Sequence, residues 1–150
     1  GMGGRLPALY GPQAGIGAEA EGRCMSSILD YYERVQALIS DLSRVEIERY
    51  EERVLSKERG NLRIRLRFFD NSLLEISEAI HIIGGTFTWL SYRYHYQRPD
   101  ASIIFRYDNT PHHPEVSTHP EHKHTGKSVV GATHPGIENV LKEVREYIRS

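Results

Sequence analysis

The chain has 150 residues, enough for one domain with a modest core. Its 19 Lys and Arg against 20 Asp and Glu leave a formal charge of -1, which excludes a globally basic nucleic-acid binder, so any phosphate must be met by a local patch. Cys24 is the only cysteine, which excludes an internal disulfide and a thiolate zinc cluster and fits a reducing, cytoplasmic setting; no apolar run approaches the roughly 18 residues of a membrane span.

Residues 1–24 begin with Gly1 and Met2, which look like a tag remnant, and continue as a Gly-, Ala- and Pro-rich leader without apolar periodicity. This leader is expected to be weakly ordered, with Met25 as the natural start and a single domain over 25–150. Ser27 with Asp30 three residues on resembles a capping box, and Ile28, Tyr32, Val35, Leu38, Ile39 and Leu42 recur at helical spacing, predicting an amphipathic helix of about four turns. Val45 to Leu55 is rich in β-formers, and Asn61 to Phe69 alternates strictly, the mark of a strand with one apolar face. Leu73 to Ile83 and Thr86 to Gln97 flank Gly84-Gly85, a hairpin signal, and Arg98-Pro99-Asp100 turns the chain into Ala101 to Tyr107. Near the end, Thr133, His134 and Pro135 open a second amphipathic helix carrying Ile137, Val140, Leu141, Val144, Tyr147 and Ile148. The prediction is an α+β domain: a five-stranded antiparallel meander flanked by an N-terminal and a C-terminal helix.

Pairing like faces sets the hairpin registers. A loop over Asp70-Asn71-Ser72 puts Phe68 opposite Leu74 and Arg67 opposite Glu75. The glycine turn puts Ile82 beside Phe87 and Ile80 beside Trp89, and the proline turn puts Tyr96 beside Ile103 and Tyr94 beside Phe105. In these registers one apolar face also carries Glu78, Ser91, Arg93, His95, Arg106 and Asp108. Glu78, Ser91 and Asp108 then form a row, and a half-buried Glu78 should be held by Arg93 or Arg106. Arg63, Arg65 and Arg67 fall on the other face, where a salt-bridged surface is the simpler reading than a phosphate track. Tyr92, Tyr94 and Tyr96 read as packing under a helix rather than as a base-stacking platform.

The chemistry concentrates in Arg106 to His124, RYDNTPHHPEVSTHPEHKH, which holds five of the eight histidines. Pro111, Pro114 and Pro120 remove backbone donors and favour extended neighbours, so a stiffened loop is expected, with neither helix nor central strand. Imidazoles exchange protons near neutral pH and ligate metals. No metal is assigned: His119, His122 and His124 could converge on a divalent ion, but no histidine pair four apart on a helix and no cysteine supports it. The plain alternative is a solvated connector beside a structural ion-pair network.

These residues also carry a resemblance. The short N-terminal helix, LLEISEAI at Leu73 to Ile80, YRYHYQ at Tyr92 to Gln97 and above all RYDN-x-PHHPE-x-x-T-x-P-x-HKH at Arg106 to His124 resemble the TumE-like proteins, proposed toxins of prokaryotic toxin–antitoxin pairs. The similarity runs from about Met25 to the C-terminus. It implies a small DNA-binding antitoxin as partner and, since many toxins of this size act on RNA, RNA as a target. A homodimer is left open. Metal-independent cleavage of RNA needs a base, an acid and cations for the phosphate. His112, His113, Asp108, Glu78 and His124 are the candidates for proton transfer and orientation. Arg93, Arg106, Lys123, His95, His122 and Asn109 are the candidates for holding substrate. The alternative, which leaves the chain without catalysis, is a binding protein whose loop and sheet face grip a partner protein, a nucleic acid or a metal ion.

Overall fold

The computed structural model describes residues 27–148. The expected leader and start at Met25 lie outside the described residues. In order, the elements are α1 (Ile28–Ser40), β1 (Val45–Ser56), β2 (Arg59–Phe68), β3 (Leu73–Ile83), β4 (Thr86–Gln97), β5 (Ile103–Asp108), β6 (His122–Thr125), β7 (Val129–Gly131) and α2 (Gly136–Ile148). The strands form one antiparallel sheet in sequence order, β1 to β7. The class is α+β as predicted, but the meander has seven strands rather than five. Of the extra two, β6 comes from the end of the segment read as loop, whose prolines stop at Pro120 so that 122–125 can take up the ladder, and β7 from the unassigned residues after it; β6 lies inside the sheet between β5 and β7.

Ser27 caps α1, its hydroxyl accepting from the Asp30 amide at 3.2 Å. From there Ile28, Tyr31, Tyr32, Val35 and Ile39 form one buried stripe, and Ile137, Val140, Leu141 and Val144 form that of α2. Both stripes belong to one core with the even-numbered residues of β2 and β3, from Leu62 to Phe68 and from Leu74 to Ile82. Burial of side chains of this size contributes about 1.5–3 kcal/mol each. The helices therefore cover one face of the sheet. The odd-numbered face of β2 and β3 is more open, and among the described residues no helix packs on it. No described helix is long and apolar enough to cross a membrane.

From β2 through the first half of β4 the faces follow the predicted alternation. Around Gly84-Gly85, at φ 57 and 81, Ile83 meets Thr86, Ile82 meets Phe87 and Ile80 meets Trp89, as expected. Then Ala79 meets Ser91, so Leu90 is one residue too many and forms a bulge. Beyond it β4 is turned over. Tyr92, Tyr94 and Tyr96 enter the core with Glu78, while Ser91, Arg93 and His95 move to the open face. The expected row of Glu78, Ser91 and Asp108 does not exist, and the cause is this bulge rather than the glycine turn. The other two hairpins differ from expectation by an even step along most of their length, which keeps those faces intact; at the mouth of the second, Ile103 meets Gln97 rather than Tyr96, leaving Ile104 as a further extra residue. Phe68 and Ser72 close the first loop, so Arg65 instead of Arg67 faces Glu75, and Tyr94 faces Tyr107 with Tyr96 beside Phe105.

Candidate functional site

Because the bulge brings Arg93 and His95 to the open face, two continuous rows cross the sheet there. One runs Arg63, Ser77, Arg93, Asp108, His122; the other runs Arg65, Glu75, His95, Arg106, His124. The arginine stripe of β2 thus shares a face with the histidines, contrary to the sequence reading. Its own charge is largely matched, as expected: Arg65 pairs with Glu48 at 2.9 Å and Glu75 at 3.0 Å, and Arg67 pairs with Glu48 at 3.0 Å. The two guanidinium groups hold the Glu48 carboxyl below its usual range.

At the β5–β6 end of these rows the proline loop encloses a pocket of about 530 Å³. Arg93, Arg106, Asp108, His112, His113, His122 and His124 line it, with Ser77, Ser91 and Thr110. Asp108 is buried and organises the floor. Its Oδ1 accepts from the Thr110 amide at 3.0 Å and lies 3.0 Å from His122 Nε2; its Oδ2 lies 3.4 Å from Arg106 Nε and 3.8 Å from His124 Nε2. His122, also buried, donates Nδ1–H to the Pro120 carbonyl at 2.8 Å, and its Nε2 is 3.1 Å from that of His124. The rings of His113, His122 and His124 meet edge to face with centroids 4.9 to 5.3 Å apart. Burial, with Arg106 nearby, lowers the His124 pKa from its ordinary value. His112 is exposed at the mouth, and Arg93, also exposed, makes no ion pair among the described residues.

Three candidates stand elsewhere. Glu78 is buried beneath the helices, where its carboxylate accepts from the hydroxyls of Tyr31 at 2.7 Å and Tyr94. Burial pushes its pKa up to about 6 despite those bonds. Tyr94 also meets His134 Nε2 at 2.8 Å, and burial lowers that imidazole to about 4. Lys123 alternates with His122 and His124 on β6 and so faces the helices. It pairs with Glu143 of α2 at 2.8 Å, and Tyr107 donates to the same carboxylate at 2.6 Å. For Lys123, burial alone would lower the pKa, but the bonds to Glu143 and Tyr107 outweigh it and raise it. His95 lies on the open face in the row of Arg106 but bonds Gln97 at 3.0 Å and does not line the pocket.

Asn109 borders the pocket, yet its amide is committed to β4. It accepts from the Tyr92 amide at 3.1 Å and donates to the Leu90 carbonyl at 3.3 Å, spanning the bulge as a strand backbone would. His119, weighed with His122 and His124 as a trio that could converge, is exposed, and the three that do converge are His113, His122 and His124. Ser77, Thr110 and Glu115 were not foreseen. Of these only Glu115 left a signal, its spacing two residues after His113, to which it bonds at 3.1 Å.

A family model described as Toxin TumE matches residues 35–150. No curated protein and no solved structure matches the chain.

Proposed function

The chain belongs to the TumE toxin family, and from that premise we propose that it is the toxin of a toxin–antitoxin pair whose open sheet face binds RNA and whose histidine pocket cleaves it. The observation that carries the reading is the pair of cross-strand rows that run from Arg63 and Arg65 to the pocket and end on Asp108, Arg106 and the imidazoles. Arg93 and Arg106 would neutralise the charge that builds on a phosphodiester during attack by the neighbouring 2′-hydroxyl. His112, open to solvent at the mouth, is placed to exchange a proton with the substrate, and His124, beside Asp108 on the floor, supplies the second function that such a reaction needs. With the tyrosines of β4 under the helices, affinity rests on phosphate contacts more than on base stacking, so binding should weaken steeply with salt. The partner is an antitoxin, expected to be a small DNA-binding protein.

The test is an end-labelled oligoribonucleotide incubated with the purified chain. Cleavage is expected from the wild type, with losses of about 100-fold or more in His112→Ala and weakened RNA binding in Arg106→Ala. RNA that stays intact while binding persists would turn the reading into the second one, a binding protein whose open face grips nucleic acid without chemistry. Absence of both binding and cleavage would refute the RNA target.

A further inference from the structure

We propose that His113, His122 and His124, with Asp108, form a binding site for a divalent transition ion of the zinc type on the pocket floor. Each imidazole offers a ring nitrogen within 4.8 Å of the others. Two of those nitrogens are 3.1 Å apart, and the Asp108 oxygens stand 3.0 and 3.8 Å from them. Four ligands at bond lengths of ~2.0–2.1 Å around a tetrahedral ion lie about 3.3 Å from one another. The floor is therefore close to that arrangement on its His122, His124 and Asp108 edges, and His113, carried on the loop, needs only a small inward movement.

A second, independent observation lies behind the rings. Imidazoles that bind metals fix their orientation by donating the remaining N–H to a carbonyl or carboxylate. His122 does so to the Pro120 carbonyl at 2.8 Å, and His113 does so to Glu115 at 3.1 Å. With its Nδ1 proton so placed, a neutral His122 turns a bare Nε2 lone pair toward the Asp108 carboxylate and toward His124. The lone pair and the carboxylate repel at 3.0 Å unless a cation or a proton lies between them, whereas His124 can meet the same lone pair with an N–H of its own. A proton on His122 would answer for two of these atoms. It would leave unexplained why a third imidazole, on a separate loop and held by its own carboxylate, is brought to the same point. Nitrogen ligands select zinc-like ions over magnesium or calcium, which take oxygen. With one carboxylate and three neutral imidazoles, the occupied floor carries a net positive charge beside Arg106 and Arg93. The pocket is then an anion site even without RNA, and the assignment does not depend on RNA being the target. It does set aside the metal-free cleavage expected from the sequence.

The experiment uses the full chain, free of any histidine tag, stripped with a chelator and titrated with Zn(II) or Co(II) alone. One ion per chain is expected, with a rise in melting temperature and, for Co(II), the visible absorption of a four-coordinate nitrogen and oxygen site. His113→Ala sits on the loop and should lose the ion while keeping the circular dichroism of the wild type. Glu115→Gln should weaken binding about 10- to 100-fold, and His81→Ala, outside the pocket, should bind as the wild type does. Zinc below stoichiometry at micromolar concentrations, Mg(II) binding as tightly as Zn(II), or unchanged affinity in His113→Ala would each overturn the proposal. Stoichiometric zinc in a protein that leaves RNA intact would uphold it while refuting the cleavage reading.

Discussion

Replacing Glu78 by Gln separates the buried network from the pocket. The Glu78 pKa is raised from 4.5 to about 6, chiefly by burial, whereas an unfolded chain returns it to its ordinary value. A group whose folded pKa is raised contributes stability that is fully present below the unfolded pKa and lost as pH rises through the folded one. For Glu78 that window runs from pH 4.5 to about 6. A shift of 1.5, the difference between those two values, corresponds to about 2 kcal/mol at ~1.36 kcal/mol per pKa unit. The amide has no charge to desolvate and can still meet both tyrosine hydroxyls. The stability of Glu78→Gln relative to wild type should therefore rise by about 2 kcal/mol between pH 4.5 and pH 7. His134, lowered to about 4, contributes in the opposite sense as pH falls below its ordinary 6.5, but equally in both proteins, so the difference isolates Glu78. Urea denaturation at half-unit pH steps measures it. A difference that does not change with pH would refute the assignment of the shift to a desolvated carboxylate, and a loss of pocket binding in this variant would refute its separation from the site.

Lys123→Met should cost about 1 kcal/mol by breaking the pair with Glu143 that ties β6 to α2, read by urea denaturation, with RNA affinity unchanged; weaker RNA binding at wild-type stability would return Lys123 to the pocket. Gly60→Ala would set a methyl group 2.7 Å from the Arg53 carbonyl oxygen and 2.9 Å from Ile28 Cγ2, and should lower stability by about 1–3 kcal/mol in the same assay. Deleting Leu90 removes the bulge and should abolish cooperative thermal unfolding, because Arg93 and His95 would be sent into the core. Leu90→Ala, by contrast, should stay within ~0.5 kcal/mol of wild type, since the residue is 46% exposed.

Much of the sheet was legible because period-two alternation fixes faces, and an even error in loop register leaves them intact. The glycine turn was legible because both of its residues need positive φ. The bulge was the costly omission. No Gly or Pro marks it, yet the apolar phase of TFTWLSYRYHYQ passes from odd positions, Phe87 and Trp89, to even ones, Tyr92, Tyr94 and Tyr96. A strand cannot do that without one extra residue. Missing it put Glu78 beside Arg93 and set the β2 arginines apart from the histidines. The gathering of His112, His113, His122 and His124 with Asp108 and Arg106 was readable, since prolines on both sides limit the loop's reach. Lys123 was misplaced because its neighbours were read as loop, where no alternation applies; once 122–125 is a strand, adjacent residues must face opposite ways.

The simple succession of strands also governs the order in which the molecule can be made. Every ladder joins neighbours in sequence, so the sheet can extend as each strand is synthesised, with short loop closures as far as β5 and no wait for a distant strand. The arginines at 93 and 106 are in place well before the imidazoles at 122 and 124. A nascent chain halted at the end of β5 would thus present the sheet face without the imidazoles of the pocket. The pocket becomes complete only when β6 adds itself to the growing edge.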